Sequence, residues 1–319
     1  MSTINCFDVV VIGSCNVDLS FYTDTVPKTG ETVVGNTFAS GQGGKGANQA
    51  VAAARLGASV AMVAKVGTDF FGKNFISALQ SDNIDTASVK ISQTAHTGMA
   101  NIVVDTKSGD NSIIIVPGAN FDLNESDIDS AKEVIQNAKV IVVQLEIRPE
   151  VVKYALQIAK ASEHPPITIV NPAPAIENEK FPAEIYELAD IFCPNETETM
   201  SFLNLSALNV KETPELEKAL HLFKKRGCKG DVLLTLGASG VFTGKGIVTA
   251  PSVETVVDTT GAGDAFVGAL SYFSATFPAM PLEEKVRRSC IIASDSVKRK
   301  GTQSSYPKRC DLPSELFQF

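Results

Sequence analysis

The richest chemistry lies in Asp258–Asp264, DTTGAGD, which runs directly into the apolar stretch AFVGALSYF. Gly261 and Gly263 flank Ala262 and let the backbone turn tightly, with N–H groups aimed at an anion. A helix starting there points its positive end at the same place. A carboxylate at that start, Asp264, suits removal of a proton from a hydroxyl that attacks the anion. Taken alone, the residues also fit a plainer role, with Asp264 as a helix cap and the glycines as a turn.

A second constellation is Gly41–Asn48, GQGGKGAN. Gly41, Gly43 and Gly46 fit G-x-G-x-x-G, but they follow a polar-mixed run rather than a buried strand, so a Rossmann turn is not indicated. Gly46 stands after Lys45 where a phosphate-binding P-loop needs Ser or Thr. Two readings remain: a loop that offers N–H groups, Lys45 and the Asn48 amide to a polar ligand, or a plain glycine loop ahead of a helix. Asn16 and Asp18 stand two apart in an extended segment and project to one side. An amide and a carboxylate so placed suit adjacent hydroxyls of a sugar. By themselves they are more simply an Asx turn. Asn195–Glu198, NETE, reads as a helix cap or as carboxylates that organise water around magnesium. Thr235–Gly240, TLGASG, is a strand-to-turn element that suits a nucleotide held by backbone, or a simple hairpin turn. Glu146 ends the strand KVIVVQL as a site carboxylate or a surface acid. His96, His164 and His221 show no triad or metal spacing.

The elements that position these residues alternate. Asp8–Gly13, Ser59–Val66, Val140–Leu145, Ile167–Val170, Ile191–Cys193 and Val232–Leu236 read as short buried strands. Ala47–Leu56, Phe70–Ser81, Pro149–Ala161, Glu196–Leu203, Glu215–Lys225, Asp264–Thr276 and Leu282–Lys298 read as helices. That rhythm predicts a mostly parallel sheet covered on both faces. Thr97–Asp105 and Asn111–Val116, joined by TKSGD, predict a hairpin. With an exposed strand over Glu31–Ser40 it forms a small outlying sheet. No linker, repeat or low-complexity run divides the chain, so residues 1–319 are expected to form one domain, with insertions near 20–41 and 97–118.

Composition excludes several classes. Of 319 residues 44% are hydrophobic and 20% charged, which suits a buried core rather than disorder. The formal net charge of −8 opposes nucleic acid and anionic membranes as partners. The six cysteines form no C-x-x-C pair and no zinc spacing, and several lie beside apolar runs, as buried free thiols do. Met1–Asp8 carries no signal-peptide pattern, and no apolar run approaches the roughly 18 residues of a membrane span. A soluble cytoplasmic protein, with the nucleus also open to it, is expected.

The ordered set N-x-D, GGKGAN, QLE, NPAP, NETE, TLGxxG, DTTGAGD and KGTQSSYP resembles the ribokinase family of sugar and nucleoside kinases, from near Val9 to about Pro307. The resemblance implies a three-layer sandwich with a mostly parallel central sheet flanked by helices, plus a small β-sheet lid. It implies transfer of the γ-phosphoryl group of ATP to the 5-hydroxyl of ribose, with Asp264 as base and Gly261, Ala262 and Gly263 as anion hole. It assigns Asn16, Val17, Asp18, Gly44, Lys45, Gly46, Ala47, Asn48 and Glu146 to the sugar. It assigns Asn195, Thr235, Leu236, Gly237, Ala238, Ser239, Gly240, Gly263, Asp264 and Cys290 to ATP. Glu198 is implied as an indirect magnesium ligand. Asp258, Thr260, Ser296, Arg299, Gly301 and Ser305 match a potassium loop, partly through backbone carbonyls. A homodimer through the lid is also implied. Rival readings are a kinase for fructose, a deoxysugar or a nucleoside, a silent sugar- or nucleotide-binding protein, and a nicotinamide oxidoreductase.

Overall fold

A computed structural model describes residues 6–108 and 110–319. The reading of Met1–Asp8 therefore lies largely outside the described residues, as does Gly109 of the TKSGD turn. Val9–Ile12 runs through the middle of an eight-stranded sheet. On one side it pairs with Val140–Val143, followed by Ile167–Val170, Ile191–Phe192 and Asp231–Val232. On the other it pairs with Val60–Gly67, which pairs in turn with Ile84–Asp85 and Val89–Ser92. Every pairing is parallel.

Alternation along the strands divides the core in two. Val9 and Val11 pack with the helices Lys45–Arg55, Phe70–Ser81, Ala262–Thr276 and Leu282–Ser296. Val10 and Ile12 pack with Glu125–Ser130, Pro149–Lys160, Glu184–Leu188, Glu196–Leu203 and Thr213–Lys225. Successive strands lie on opposite sides of Val9–Ile12, so the chain leaves a crevice beyond its carboxyl end, where ligands of such sheets bind.

A four-stranded sheet stands apart, in the order Thr37–Gly43, Asn16–Thr23, Gly98–Asp105, Asn111–Val116. The expected hairpin is its last two strands. Four boundaries differ from expectation. The lid begins at Asn16 rather than near residue 20, so Asn16 and Asp18 sit on a lid strand. The strand expected over Glu31–Ser40 is Thr37–Gly43, because its partner ends at Thr23 and leaves residues 31–35 nothing to pair with. The expected loop Gly41–Gly46 is nearly absent, since Gly43 ends the strand and Lys45 starts the helix. Gly44 makes the whole turn at φ 85°, where a side chain would also strike the Asn16 backbone. The run Val232–Leu236 is split, with Leu234–Thr235 joining Val241–Phe242 and Ile247–Val248 in a separate three-stranded sheet.

Helices Lys45–Arg55 and Ala262–Thr276 are pressed together at Gly268, where an added Cβ would lie 2.6 Å from both Ala52 Cβ and the Gln49 carbonyl oxygen. Gly→Ala in an unhindered helix gains about 0.4–1 kcal/mol. Here Gly268→Ala is expected to lose roughly 1–3 kcal/mol, the scale of core overpacking. Urea denaturation reads the sign, and a stabilised variant would refute the close contact.

Candidate active site

The crevice gathers side chains from five parts of the chain. Asp264 lies in the first turn of Ala262–Thr276 and is buried. Its Oδ2 accepts from Asn48 Nδ2 at 2.9 Å and its Oδ1 from Gln49 Nε2 at 2.9 Å. Gly261, at φ 77°, makes the entry to this helix, and its carbonyl accepts from the Tyr306 hydroxyl at 3.0 Å. The N–H of Ala262 bonds to the Thr259 carbonyl. Among the described residues, the N–H groups of Gly263 and Asp264 bond to nothing in the chain, and an added Cβ at Gly263 would meet open space. The helix start therefore offers two donors and an open face to an anion, beside a carboxylate. The turn is as expected, except that the Ala262 N–H is already engaged.

Glu146 follows the strand Val140–Val143 and crosses to the end of Val9–Ile12. Its Oε2 accepts from Ser14 Oγ at 2.5 Å, the Lys45 N–H at 2.9 Å and Asn16 Nδ2 at 3.3 Å. The buried Asn120 donates to Asn16 Oδ1 at 2.7 Å and accepts from the Cys15 N–H at 2.8 Å. Asn16 is thereby fixed at both ends of its amide. Asp18 lies one residue pair further along the lid strand, against Gly43. Burial, with the charges of Glu146 and Asp264 adding to it, pushes Asp18 up to about 7. Burial likewise pushes Glu198 to about 7, with Asp264 adding and the Asn195 N–H and Lys45 opposing. For the Lys45 ammonium, burial disfavours charge, but the carboxylates of Asp264, Glu146 and Glu198 outweigh it and raise its pKa.

Three sugar-side expectations change character. Val17 is in the core and its backbone is paired on both sides. The N–H groups of Gly46 and Ala47 are held by Ser14 Oγ and the Ser14 carbonyl. These residues support the crevice rather than line it. Of the residues expected to hold nucleotide, Asn195 caps Glu196–Leu203 in a capping box with Glu198 and bridges to Thr235. In the following turn the N–H groups of Leu236, Ser239 and Gly240 bond within the turn, while those of Gly237 and Ala238 carry no such bond among the described residues. Leu236 is a core side chain, which leaves Gly237 and Ala238 as the open donors. Cys290 is 3% exposed inside the core and so is not brought to an open surface. Cys15, Cys193 and Cys228 are buried free thiols too, as expected, whereas Cys6 and Cys310 are exposed.

The cation segments do meet. Asp258 accepts from the Thr260 and Gly301 N–H groups, both at 2.9 Å. Burial opposes its charge, yet these bonds and the nearby Lys300 lower its pKa. The Ser296 and Ser305 carbonyls accept from Arg299 N and Nε at 3.2 and 2.9 Å. The Ser296 and Ser305 carbonyls and both Asp258 oxygens are thus engaged within the chain, which leaves only their remaining lone pairs for a cation. No cluster of three His, Cys, Asp or Glu with metal-ligand geometry occurs among the described residues. Both Glu198 oxygens already face Asn195, which leaves their remaining lone pairs for a water-bridged divalent ion.

The sequence reading missed Ser14, Gln49, Asn120 and Gln303. Gln303 donates to Asn48 Oδ1 at 3.0 Å and so ties the cation segment to a partner of Asp264. Ser14 and Asn120 sit beside motif residues but carry no distinctive spacing. Gln49 directly follows the singled-out Asn48 and was the most findable. A cavity of about 660 Å³ lies elsewhere, around Arg55, Asp82 and Arg309.

A lidded parallel sandwich with an acid beside an open helix start defines a carbohydrate kinase. The model for the pfkB family of carbohydrate kinases matches residues 7–309, and the chain belongs to that family. It is 46% identical over 314 residues to the ribokinase of Mus musculus, covering 97% of this chain and 94% of that one. It is 38% identical over 303 residues to the deoxyribokinase of Salmonella typhi, covering 94% and 95%. The structure of Arabidopsis thaliana ribokinase complexed with ribose and ATP superposes with a TM-score of 0.87 at 30% identity, covering 99% and 100%. The expected sandwich with a β lid is thus the observed fold. No helix among the described residues is long and apolar enough to cross a membrane.

Asp18 and Glu198 bind protons more readily folded than unfolded, so the folded state holds the extra protons between pH about 4 and about 7. Their contribution to stability therefore falls as pH rises through that window. Asp18→Asn is expected to raise the melting temperature more at pH 8 than at pH 5. Equal gains at both values would contradict the crowding of charge described here.

Proposed function

We propose that this chain transfers the γ-phosphoryl group of ATP to the 5-hydroxyl of D-ribose, giving D-ribose 5-phosphate and ADP. The observation that carries this reading is the buried Asp264 carboxylate, oriented at both oxygens, next to the unbonded N–H groups of Gly263 and its own backbone. Phosphoryl transfer needs positioning and charge stabilisation more than covalent chemistry. Asp264 takes the proton of the attacking hydroxyl, and the helix-start N–H groups stabilise charge on the transferring phosphoryl oxygens. Asn16, Asp18, Lys45, Asn48 and Glu146 hold the sugar hydroxyls, with Gly44 shaping the turn beneath them. Asn195, Thr235 and the N–H groups of Gly237 and Ala238 hold the nucleotide.

Glu198 would hold a magnesium ion through water, and that ion would supply neutralisation of phosphate charge. Asp258, Thr260, Ser296, Arg299, Gly301 and Ser305 would hold potassium, through the Asp258 carboxylate and backbone carbonyls. The lid closes over the sugar and excludes water. Its outer strand, Asn111–Val116, exposes Ile113, Ile114, Ile115 and Val116, an apolar edge that suits a second copy of the lid in a homodimer. The chain acts as one domain with this insertion.

Ribose is proposed ahead of 2-deoxyribose on the 46% identity to the mouse ribokinase, with 2-deoxyribose as the alternative that the 38% identity to the Salmonella typhi deoxyribokinase supports. A coupled ADP-release assay with ribose, 2-deoxyribose, fructose and adenosine, each in sodium or potassium, tests the proposal. Ribose-selective, potassium-stimulated turnover is expected. Asp264→Asn is expected to lower kcat by at least roughly 100-fold, the scale of a lost general base, with the fold intact by circular dichroism. Near-normal turnover in that variant would remove Asp264 from the role.

A further inference from the structure

Asp264 does not stand on its own helix alone. Gln49 Nε2 donates to Asp264 Oδ1 at 2.9 Å and to Asn171 Oδ1 at 3.0 Å. Gln49 Oε1 accepts from Gln144 Nε2 at 2.6 Å. Asn171 Nδ2 in turn donates to the Cys193 carbonyl at 3.0 Å. Gln144, Asn171 and Cys193 each follow directly on a strand of the central sheet: Val140–Val143, Ile167–Val170 and Ile191–Phe192. Gln49 and Gln144 are fully buried.

This network permits one orientation of the Gln49 amide. Both of its N–H groups are taken by oxygens that only accept, and its carbonyl faces the amide nitrogen of Gln144. Flipped, the carbonyl would face two acceptors and the NH₂ group would face another NH₂. Each error would strand a buried polar group, at a cost well above that of an ordinary hydrogen bond. The carboxylate oxygen of Asp264 is thus pinned to the ends of three strands and not held by its own helix alone.

We infer that Gln49 is a positioning residue for the phosphoryl-transfer reaction, acting by fixing the orientation of the Asp264 carboxylate. Asn48 faces the other oxygen and also the sugar-side crevice, whereas Gln49 is sealed from ligand. Gln49 is therefore expected to affect kcat with little effect on sugar binding. The inference rests on Asp264 being the base.

The test compares purified Gln49→Met with wild type in the ribose and ATP assay, across pH. Met keeps the length of the side chain and removes every hydrogen bond. A drop in kcat of roughly 10- to 100-fold is expected, the scale of a misplaced reacting group, with KM for ribose within about twofold. The acidic limb of the kcat/KM profile is expected to move to higher pH, because a donor to the charged carboxylate is gone. Gln144→Met leaves every bond to Asp264 in place but frees the Gln49 amide. It should shift the same readouts in the same direction by less, and it decides the matter if Gln49→Met does not fold. A lowered melting temperature with kcat and the pH profile unmoved would overturn the inference. Asp264→Asn, assayed alongside, separates the two failures. An inactive Asp264→Asn with a normal Gln49→Met defeats only the role of Gln49, and an active Asp264→Asn defeats the base.

Discussion

The close crossing of helices Lys45–Arg55 and Ala262–Thr276 is the contact on which the site depends. The two helices come from segments more than two hundred residues apart in sequence, and Gly268 against Ala52 lets their backbones approach without side chains between them. Only at that distance do the short amides of Asn48 and Gln49 reach the Asp264 carboxylate. A buried carboxylate without such donors would be strongly disfavoured in its charged form. The same crossing therefore builds the core and keeps the acid usable.

Charge sets the second constraint. Glu146, Glu198 and Asp264 act on one ammonium, that of Lys45, while Asp18 is set against Glu146 and Asp264. Amide and backbone donors stabilise Glu146 and Asp264, but Asp18 has no hydrogen-bonding partner among those described here, and burial with like charge pushes it up. Glu198 keeps its capping bonds and is pushed up all the same, because burial outweighs them. Such crowding lowers stability at neutral pH, through Asp18 and Glu198.

The central architecture was legible in the sequence because its strands are short β-branched runs and its helices carry clear stops, as at Gly57. Asp264, Glu146, Asn16, Asp18, Lys45 and Asn48 were legible as chemistry, although their convergence was not. What failed was local. The glycines of GQGGKGAN suggested a loop, yet Gly41 and Gly43 pair in a strand whose register is set by Asn16–Thr23 across the sheet. TVVG looked like a strand by composition and has no partner to make it one. Gly46, Ala47 and Leu236 sit inside motifs, and motif membership says nothing of whether an N–H is free. Asn120 was invisible for the converse reason, and Gln49 was marked only by its place after Asn48. Their value comes from what they touch, and an amide buried against distant strands leaves no periodicity to read.

The division of labour between elements follows from this geometry. Asp264 and its amide supports belong to the central sheet and the helices on one of its faces. Asn16 and Asp18 belong to the lid, whose strands pair with one another and not with the central sheet. Glu146 joins the two, since it takes bonds from Ser14, Asn16 and Lys45 at once. A change of sugar can be accommodated on the lid side of that joint without moving the carboxylate, because nothing in the Gln144–Gln49–Asn171 chain reaches the lid. A change in the chain itself reaches the acid whichever sugar is present. Relatives named for ribose and for deoxyribose align with almost the whole of this chain. That is the pattern such a separation allows, with one sheet-anchored acid serving several sugars presented by a separable lid.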